Sequence, residues 1–298
     1  MIDLRYHIAS IVAVFLALGL GVLIGSTIVG DNLIVDQQKK MLDRLETQFY
    51  VLREQENILN EENQYQKKII ADYENYSQLL LPALLKERLT GYNVAIVVTG
   101  SQDIPAGMLN ALSVAGVNVV SKTVVLANLS LDDPELCRKL IDFYGLDAGA
   151  DRDSLRNHIA VSAASIIMNQ GDAGALAFLQ QNELVKFNGD NTIMPNGLIV
   201  LGGSNNLDTF FANSFDQSLI DFALNTGCKV FGVESSEVSY SYMENYQKKN
   251  ISTVDDIDLS PGQISLVFAM EGEPGHYGIK STAQKFMPSL PLESIKGN

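Results

Sequence analysis

The sequence predicts an α/β protein whose sheet domain follows two helical segments, and three observations carry that reading. Residues 8–30, IASIVAVFLALGLGVLIGSTIVG, run for twenty-three positions without a charge. Residues from about 33 to 81 then hold an apolar heptad, with no glycine or proline until Pro82. Beyond Gly91, short apolar runs alternate with helical patterns, as in a parallel sheet with crossover helices. The 298 residues therefore divide into a transmembrane anchor at 1–31, a coiled-coil stalk at 32–90 and an α/β domain at 91–298.

Length argues for the anchor. A bilayer core about 30 Å thick needs roughly 20 apolar residues at about 1.5 Å each. A cleaved signal peptide has an apolar region of only about 7–15 residues and a small-x-small cleavage site; here the apolar run continues to Val29. The flanks leave orientation open, because Arg5 precedes the run while Lys39, Lys40 and Arg44 follow it. Ala9, Ala13, Ala17, Gly21 and Gly25 recur every fourth position, which makes one helical face small throughout. Such a face lets two membrane helices approach closely, although alanine and glycine are also common in membrane helices generally.

The stalk is read from its period. With Val35 at position a, the a positions are Val35, Leu42, Phe49, Glu56, Asn63, Ile70 and Ser77. The d positions are Gln38, Leu45, Leu52, Leu59, Gln66, Tyr73 and Leu80. Nine of these fourteen are apolar, which is the pattern of a coiled coil, and Asn63 at an a position would fix a parallel two-stranded register. Together with the small face of the anchor, this predicts a homodimer through Ala13, Ala17, Gly21, Gly25, Leu42, Leu45, Phe49, Leu52, Leu59, Asn63, Ile70 and Tyr73. At 1.5 Å per residue the stalk would be about 70 Å long. The alternative is a helical hairpin folded back on the α/β domain, which needs a break near Glu56 that no glycine or proline supplies.

In the α/β domain, NVAIVV (93–98) reads as a buried strand, a helical pattern covers 105–115, and VNVVSKTVVLAN gives a second β-rich run. GLIVLGG (197–203), a helix over 208–225 and CKVFGVES (228–235) repeat the pattern. Ser260 and Pro261 read as the cap and first residue of a last helix. Residues 132–186 read as a helical insertion with a short strand near ELVKF. The whole is Rossmann-like.

Ligands of such sheets sit where the carboxyl ends of the strands open. The loops TGSQD (99–103), GGSNN (202–206) and GVESSE (232–237) qualify, and within them Gly100, Ser101, Gly202, Gly203, Ser204 and Asn205 are the candidate ligand-binding residues. The glycines would admit a ligand to the backbone amides, or they simply end strands. No G-x-G-x-x-G follows the first strand, and the G-x-x-x-x-G-K-S/T and G-x-S-x-G patterns are missing from the chain. His7 lies at the membrane edge, His158 in a helical pattern and His276 in a turn, so no base is paired with a nucleophile and no catalytic residue is assigned. The acid pairs Asp132-Asp133 and Asp255-Asp256 resemble helix starts and turns. Cys137 and Cys228 would pair or stay as buried thiols. Copper sites favour cysteine, methionine and histidine, yet the sequence holds no C-x-x-C, M-x-x-M or H-x-H, and no cofactor is predicted.

Charge bounds the partners. Residues 1–90 carry 9 basic and 12 acidic side chains, and 91–298 carry 12 and 23, so the α/β domain is at −11. Nucleic acid and anionic lipid both select basic surface, which excludes them as partners of this domain.

The opening MIDLRYHIASIVAVFLALGLGVLIGS resembles the N-terminus of the MctB family, also called SteB, through Arg5-Tyr6-His7, Ala13-Val14-Phe15, Ala17-Leu18-Gly19 and Gly25-Ser26. STVDDID, the following PGQISLVFAM and GHYG near the C-terminus extend the similarity along the chain. The resemblance implies a cytoplasmic amino terminus and an exported α/β domain. It also brings two functional expectations. Some members are named as copper transport proteins implicated in efflux and described as pore-forming in mycobacterial outer membranes, so copper enters by resemblance alone. Others pair with a membrane protein called SteA in septal peptidoglycan remodelling. A barrel pore needs many strands of about 9–11 residues, whereas this chain offers one apolar helix and short buried strands. The sequence-level expectation is therefore a non-enzymatic envelope scaffold, with copper transport as the alternative and a nucleotide-like binding head third.

Overall fold

The computed structural model describes residues 4–30, 33–100, 103–190 and 192–289. Helix α1 spans Leu4–Gly30 and α2 spans Leu33–Leu85. Within α1, Arg5–Thr27 is long and apolar enough to cross a membrane, and none of that stretch is buried within the chain. The chain forms two compact units, Met1–Ala71 and Asp72–Asn298.

The second unit is the head. After the last turns of α2 it runs β1 (Asn93–Val98), α3 (Ala106–Val114), β2 (Asn118–Val125), α4 (Pro134–Tyr144), α5 (Arg152–Ile167), α6 (Ala173–Gln181) and β3 (Val185–Gly189). It continues with β4 (Gly197–Leu201), α7 (Gln217–Asn225), β5 (Lys229–Val233), α8 (Met243–Gln247), β6 (Ser252–Val254), α9 (Ser260–Glu271) and β7 (His276–Tyr277). The seven strands form one sheet in the order β3-β2-β1-β4-β5-β6-β7. All neighbours are parallel except β3, which pairs antiparallel with β2 and closes that edge. Successive residues of the central strands face opposite sides, so a continuous apolar run fills two cores. Ala95, Val97, Leu198 and Val200 pack under α4 to α8, while Val94, Ile96, Ile199 and Leu201 pack under α3, α9 and the end of α2.

Four local readings change in the structure. The segment read as a helical insertion is a covering layer of the sheet, because Ile159, Ala163 and Leu179 share a core with β1 and β4. The helix expected over 208–225 begins with a 3₁₀ turn at Leu207–Thr209 and a π-helical turn at Ala212–Asp216 before α7 starts. Pro82 does not end α2. The helix continues to Leu85 because Leu81 and Leu85 are fully buried in the head core, and that burial outweighs the one helix hydrogen bond a proline removes. Finally, Ser260 is the first residue of α9 and not its cap; Leu259 holds the cap position without a side-chain bond.

Another side chain serves α9 from nearly two hundred positions away. The Glu74 carboxylate accepts from the Ser260 backbone N–H at 3.1 Å and from its hydroxyl at 2.6 Å. A carboxylate there meets both the unpaired amides and the positive end of the helix. Gln78 donates to Ser260 Oγ at 3.0 Å and to Gln263 Oε1 at 3.1 Å. Glu74, Gln78, Leu81 and Leu85 lie four, three and four residues apart, which places them on one helical face. The stretch 72–90, which composition assigns to the stalk, thus belongs to the compact unit of the head.

Candidate functional site

The crossover from β1 runs outward to β2 and that from β4 outward to β5, so the strand order reverses between the parallel neighbours β1 and β4. Sheets of this kind open a binding crevice at such a point, and the sequence-predicted glycines meet there. Gly100, Gly202, Gly203 and Ser204 come together at the carboxyl ends of the two strands; Ser101 lies outside the described residues.

The amides of Gly100, Gly202 and Ser204 are already used. Thr99 and Gly100 donate to the Leu201 carbonyl at 2.9 and 3.1 Å, and Gly202 donates to the Val233 carbonyl at 2.9 Å. A methyl group on Gly100 would overlap the carbonyl oxygens of Gly202 and Gly203, so the two loops touch directly. Gly203 adopts φ +83°, a left-handed conformation suited to glycine. Ser204 exchanges backbone bonds with Tyr240 at 3.0 and 2.8 Å, and its hydroxyl donates to the Asn206 carbonyl at 2.7 Å. Asn205 is exposed and accepts from the Ser239 amide at 2.9 Å. A phosphate at this point would find those three amides committed to backbone carbonyls, whereas a nucleotide site relies on free ones.

Below the loops lies a polar cluster that the sequence does not announce. Asp216, fully buried at the end of the π-helical turn, accepts from the Thr99 hydroxyl at 2.7 Å and from the Tyr246 phenol. Its other oxygen, Oδ1, has no partner. Burial pushes its carboxyl up to about 6, against the opposing effect of the two hydroxyl donors. The same surroundings raise Tyr246 well above the usual phenol range, through burial first and then the Asp216 charge. Tyr242 completes the floor, donating to the Thr209 carbonyl at 2.9 Å. Only the π-helical turn, a common companion of functional sites, offers a hint, and it shows in the backbone alone.

Beside this floor runs an open groove of about 730 Å³, lined by Leu207, Phe210, Tyr240, Glu244, Lys280 and Thr282 among others. Its volume is in the range of ligand sites. Lys280 is neutralised at its base by the fully buried Glu234, at 2.7 Å, and Glu234 also accepts from Ser241 Oγ at 2.6 Å and the Tyr242 amide at 2.8 Å. The Thr282 hydroxyl is buried without a partner.

The acids of the VDDID stretch sit behind the groove. Asp255 accepts from the Ile279 and Lys280 amides at 2.8 and 3.2 Å, and Asp258 accepts from the Ser236 amide and hydroxyl, both at 2.6 Å. Asp256 is fully buried with neither oxygen partnered. Burial, with Asp255 and Asp258 alongside, pushes its carboxyl up to about 7.

The remaining candidates are dispersed. The His158 ring shares a hydrogen bond with the Ser154 carbonyl on α5, and His276 on β7 contacts Thr253 of β6 at 3.0 Å. Cys137 and Cys228 are both free thiols, and burial pushes Cys228 up to about 12. Met108, Met168, Met243 and Met270 fill the two cores. Among the described residues no group of three or more His, Cys, Asp or Glu side chains is arranged to hold a metal. Leu42, Leu45, Phe49, Leu52, Leu59, Asn63, Ile70 and Tyr73 are exposed on α2, as are Ala13, Ala17, Gly21 and Gly25 on α1.

A family model described as "Copper transport outer membrane protein, MctB" matches residues 1–288. The chain belongs to the MctB family. It is 27% identical to the copper transporters MctB of Mycobacterium tuberculosis (strain H37Rv) and Mycobacterium bovis (strain AF2122/97), over 93% of this chain and 96% of each relative. The family match takes in α1, α2 and the head as far as residue 288, including the groove and the acid stretch. Among the described residues, most sulfur side chains of this chain lie inside the two cores.

Proposed function

We propose that the protein is a non-enzymatic, membrane-anchored envelope scaffold: a parallel dimer through α1 and α2 whose two heads engage a partner in septal or other cell-envelope processes. The supporting observation is the exposed apolar face of α2, where Leu42, Leu45, Phe49, Leu52 and Leu59 lie at a and d positions with no covering element among the described residues. A helix with such a face buries it against another helix. The resemblance supplies the orientation, amino terminus inside and head outside, and the kind of partner, a SteA-like membrane protein. The test is light scattering of the detergent-solubilised chain together with crosslinking recovery of the partner. Wild type should run as a dimer, and Leu45→Pro should abolish both the dimer and the recovery. A monomeric wild type would refute the reading.

Copper transport is the second reading, favoured by the name of the mycobacterial relatives. Copper would be cargo, met by exposed groups such as Met41 and Met194 and not by the core methionines. Stoichiometric copper binding and raised cellular copper on deletion support this reading, and unchanged metal content opposes it.

A further inference from the structure

The contacts of Glu74 continue beyond α9. Ser260, which donates twice to Glu74, opens α9, and the acid turn 254–259 leads directly into it. That turn is tied to both loops that wall the groove. Asp258 holds the Ser236 amide and hydroxyl, and the Ile257 amide donates to the Glu234 carbonyl at 3.1 Å. On the other side Asp255 holds the Ile279 and Lys280 amides. Between these anchored neighbours Asp256 is buried with both oxygens unpartnered. A buried carboxylate without donors disfavours the conformation that contains it, so the turn is kept in place by its outward bonds.

We propose that the 254–259 turn is a relay through which the end of α2 sets the shape of the groove at the carboxyl edge of the sheet. When the Glu74 carboxylate leaves Ser260, the first amide of α9 loses its acceptor and the turn is free to carry Asp256 toward water. The ties from Asp258 to Ser236 and from Asp255 to Lys280 then loosen together, and the groove walls move. Linkage makes the effect reciprocal: a ligand that repositions Ser236 or Lys280 changes the hold of Glu74 on Ser260. The input rests on the reading of α2 as a paired stalk, whereas the relay itself lies wholly within the head.

Hydrogen exchange with mass-spectrometric detection on the full-length protein in detergent tests this. In Glu74→Ala, exchange should rise about fivefold, the usual scale for losing a helix cap, in peptides covering 234–242, 255–263 and 278–282, with β1 and β4 unchanged. Glu74→Gln keeps an acceptor and should restore most of the protection. Asp258→Ala, which removes the acceptor of Ser236, should loosen 260–263 and the 74–78 segment in return. A rise confined to 260–263 would show a local cap and overturn the relay, as would no change, or an equal rise across β1 and β4. Light scattering on the same samples separates the two readings, since a monomer with the expected exchange pattern removes the stalk pairing and keeps the relay.

Discussion

Asp256→Asn offers the sharpest check on the electrostatics of the head. The carboxyl rises from an ordinary value of 3.8 to about 7 through burial and the adjacent Asp255 and Asp258. Between those values the folded protein holds a proton that the unfolded chain has released. The resulting stability is complete below the unfolded value and is lost as pH rises through the folded one. From pH 5.5 to pH 8 about 1.5 units of that difference remain to be lost, which is about 2 kcal/mol at 1.36 kcal/mol per unit. Asparagine fills nearly the same volume without a charge and should remove that slope. Asp216, raised in the same direction to about 6, stays in both proteins and cancels from the difference. Urea unfolding can be followed by the near-ultraviolet signal of the buried Tyr242, Tyr246 and Tyr277, since the chain has no tryptophan. Wild type should lose about 2 kcal/mol more than the variant over this range, at equal m-values. Equal losses in the two proteins would refute a buried, unpartnered Asp256.

Gly100→Ala should cost about 3 kcal/mol or more, read as a fall in melting temperature, because its methyl would meet backbone oxygens that cannot swing aside. Gly149→Ala, which meets nothing within 4 Å, should be nearly neutral. A fragment of residues 91–298 lacks Leu81 and Leu85, each worth about 2–5 kcal/mol in a core, against a usual total of about 5–15 kcal/mol. It should lose cooperative thermal unfolding, while a fragment of 72–298 should keep it.

The regular elements were legible because each has a period of its own. The charge-free run gives α1, the heptad gives most of α2, and the apolar runs at 93–98, 197–201 and 229–233 give three central strands. Even β3, near ELVKF, shows in the sequence as a short apolar alternation. Pro82 misleads because local propensity opposes helix there, and only the burial of Leu81 and Leu85 in a distant core reverses it. The candidate site was legible in position and not in composition. Strand ends locate Gly100, Gly202 and Gly203, but Asp216 and Tyr246 reach the same point from elements 30 residues apart in sequence, and no local pattern pairs them. Glu74 is harder still, since its partner is 186 residues away. The only trace of it is the second stripe, Glu74, Gln78, Leu81 and Leu85, running beside the heptad.

That second stripe bears on how one helix serves two ends. Over 72–85 the heptad positions Tyr73 and Leu80 are exposed, while Leu81 and Leu85 are fully buried. Adjacent residues on a helix point about 100° apart, so the exposed heptad face and the face docked in the head are different surfaces. The stalk pairing proposed above would therefore not compete with the core of the head for the same side chains. The docked stripe is tied to α9 by Gln78 and by Glu74, its one charged residue. A carboxylate at that place ties α9 to the end of α2 by hydrogen bonds, whose distance and angle requirements are stricter than those of the apolar contacts that leucines there would make.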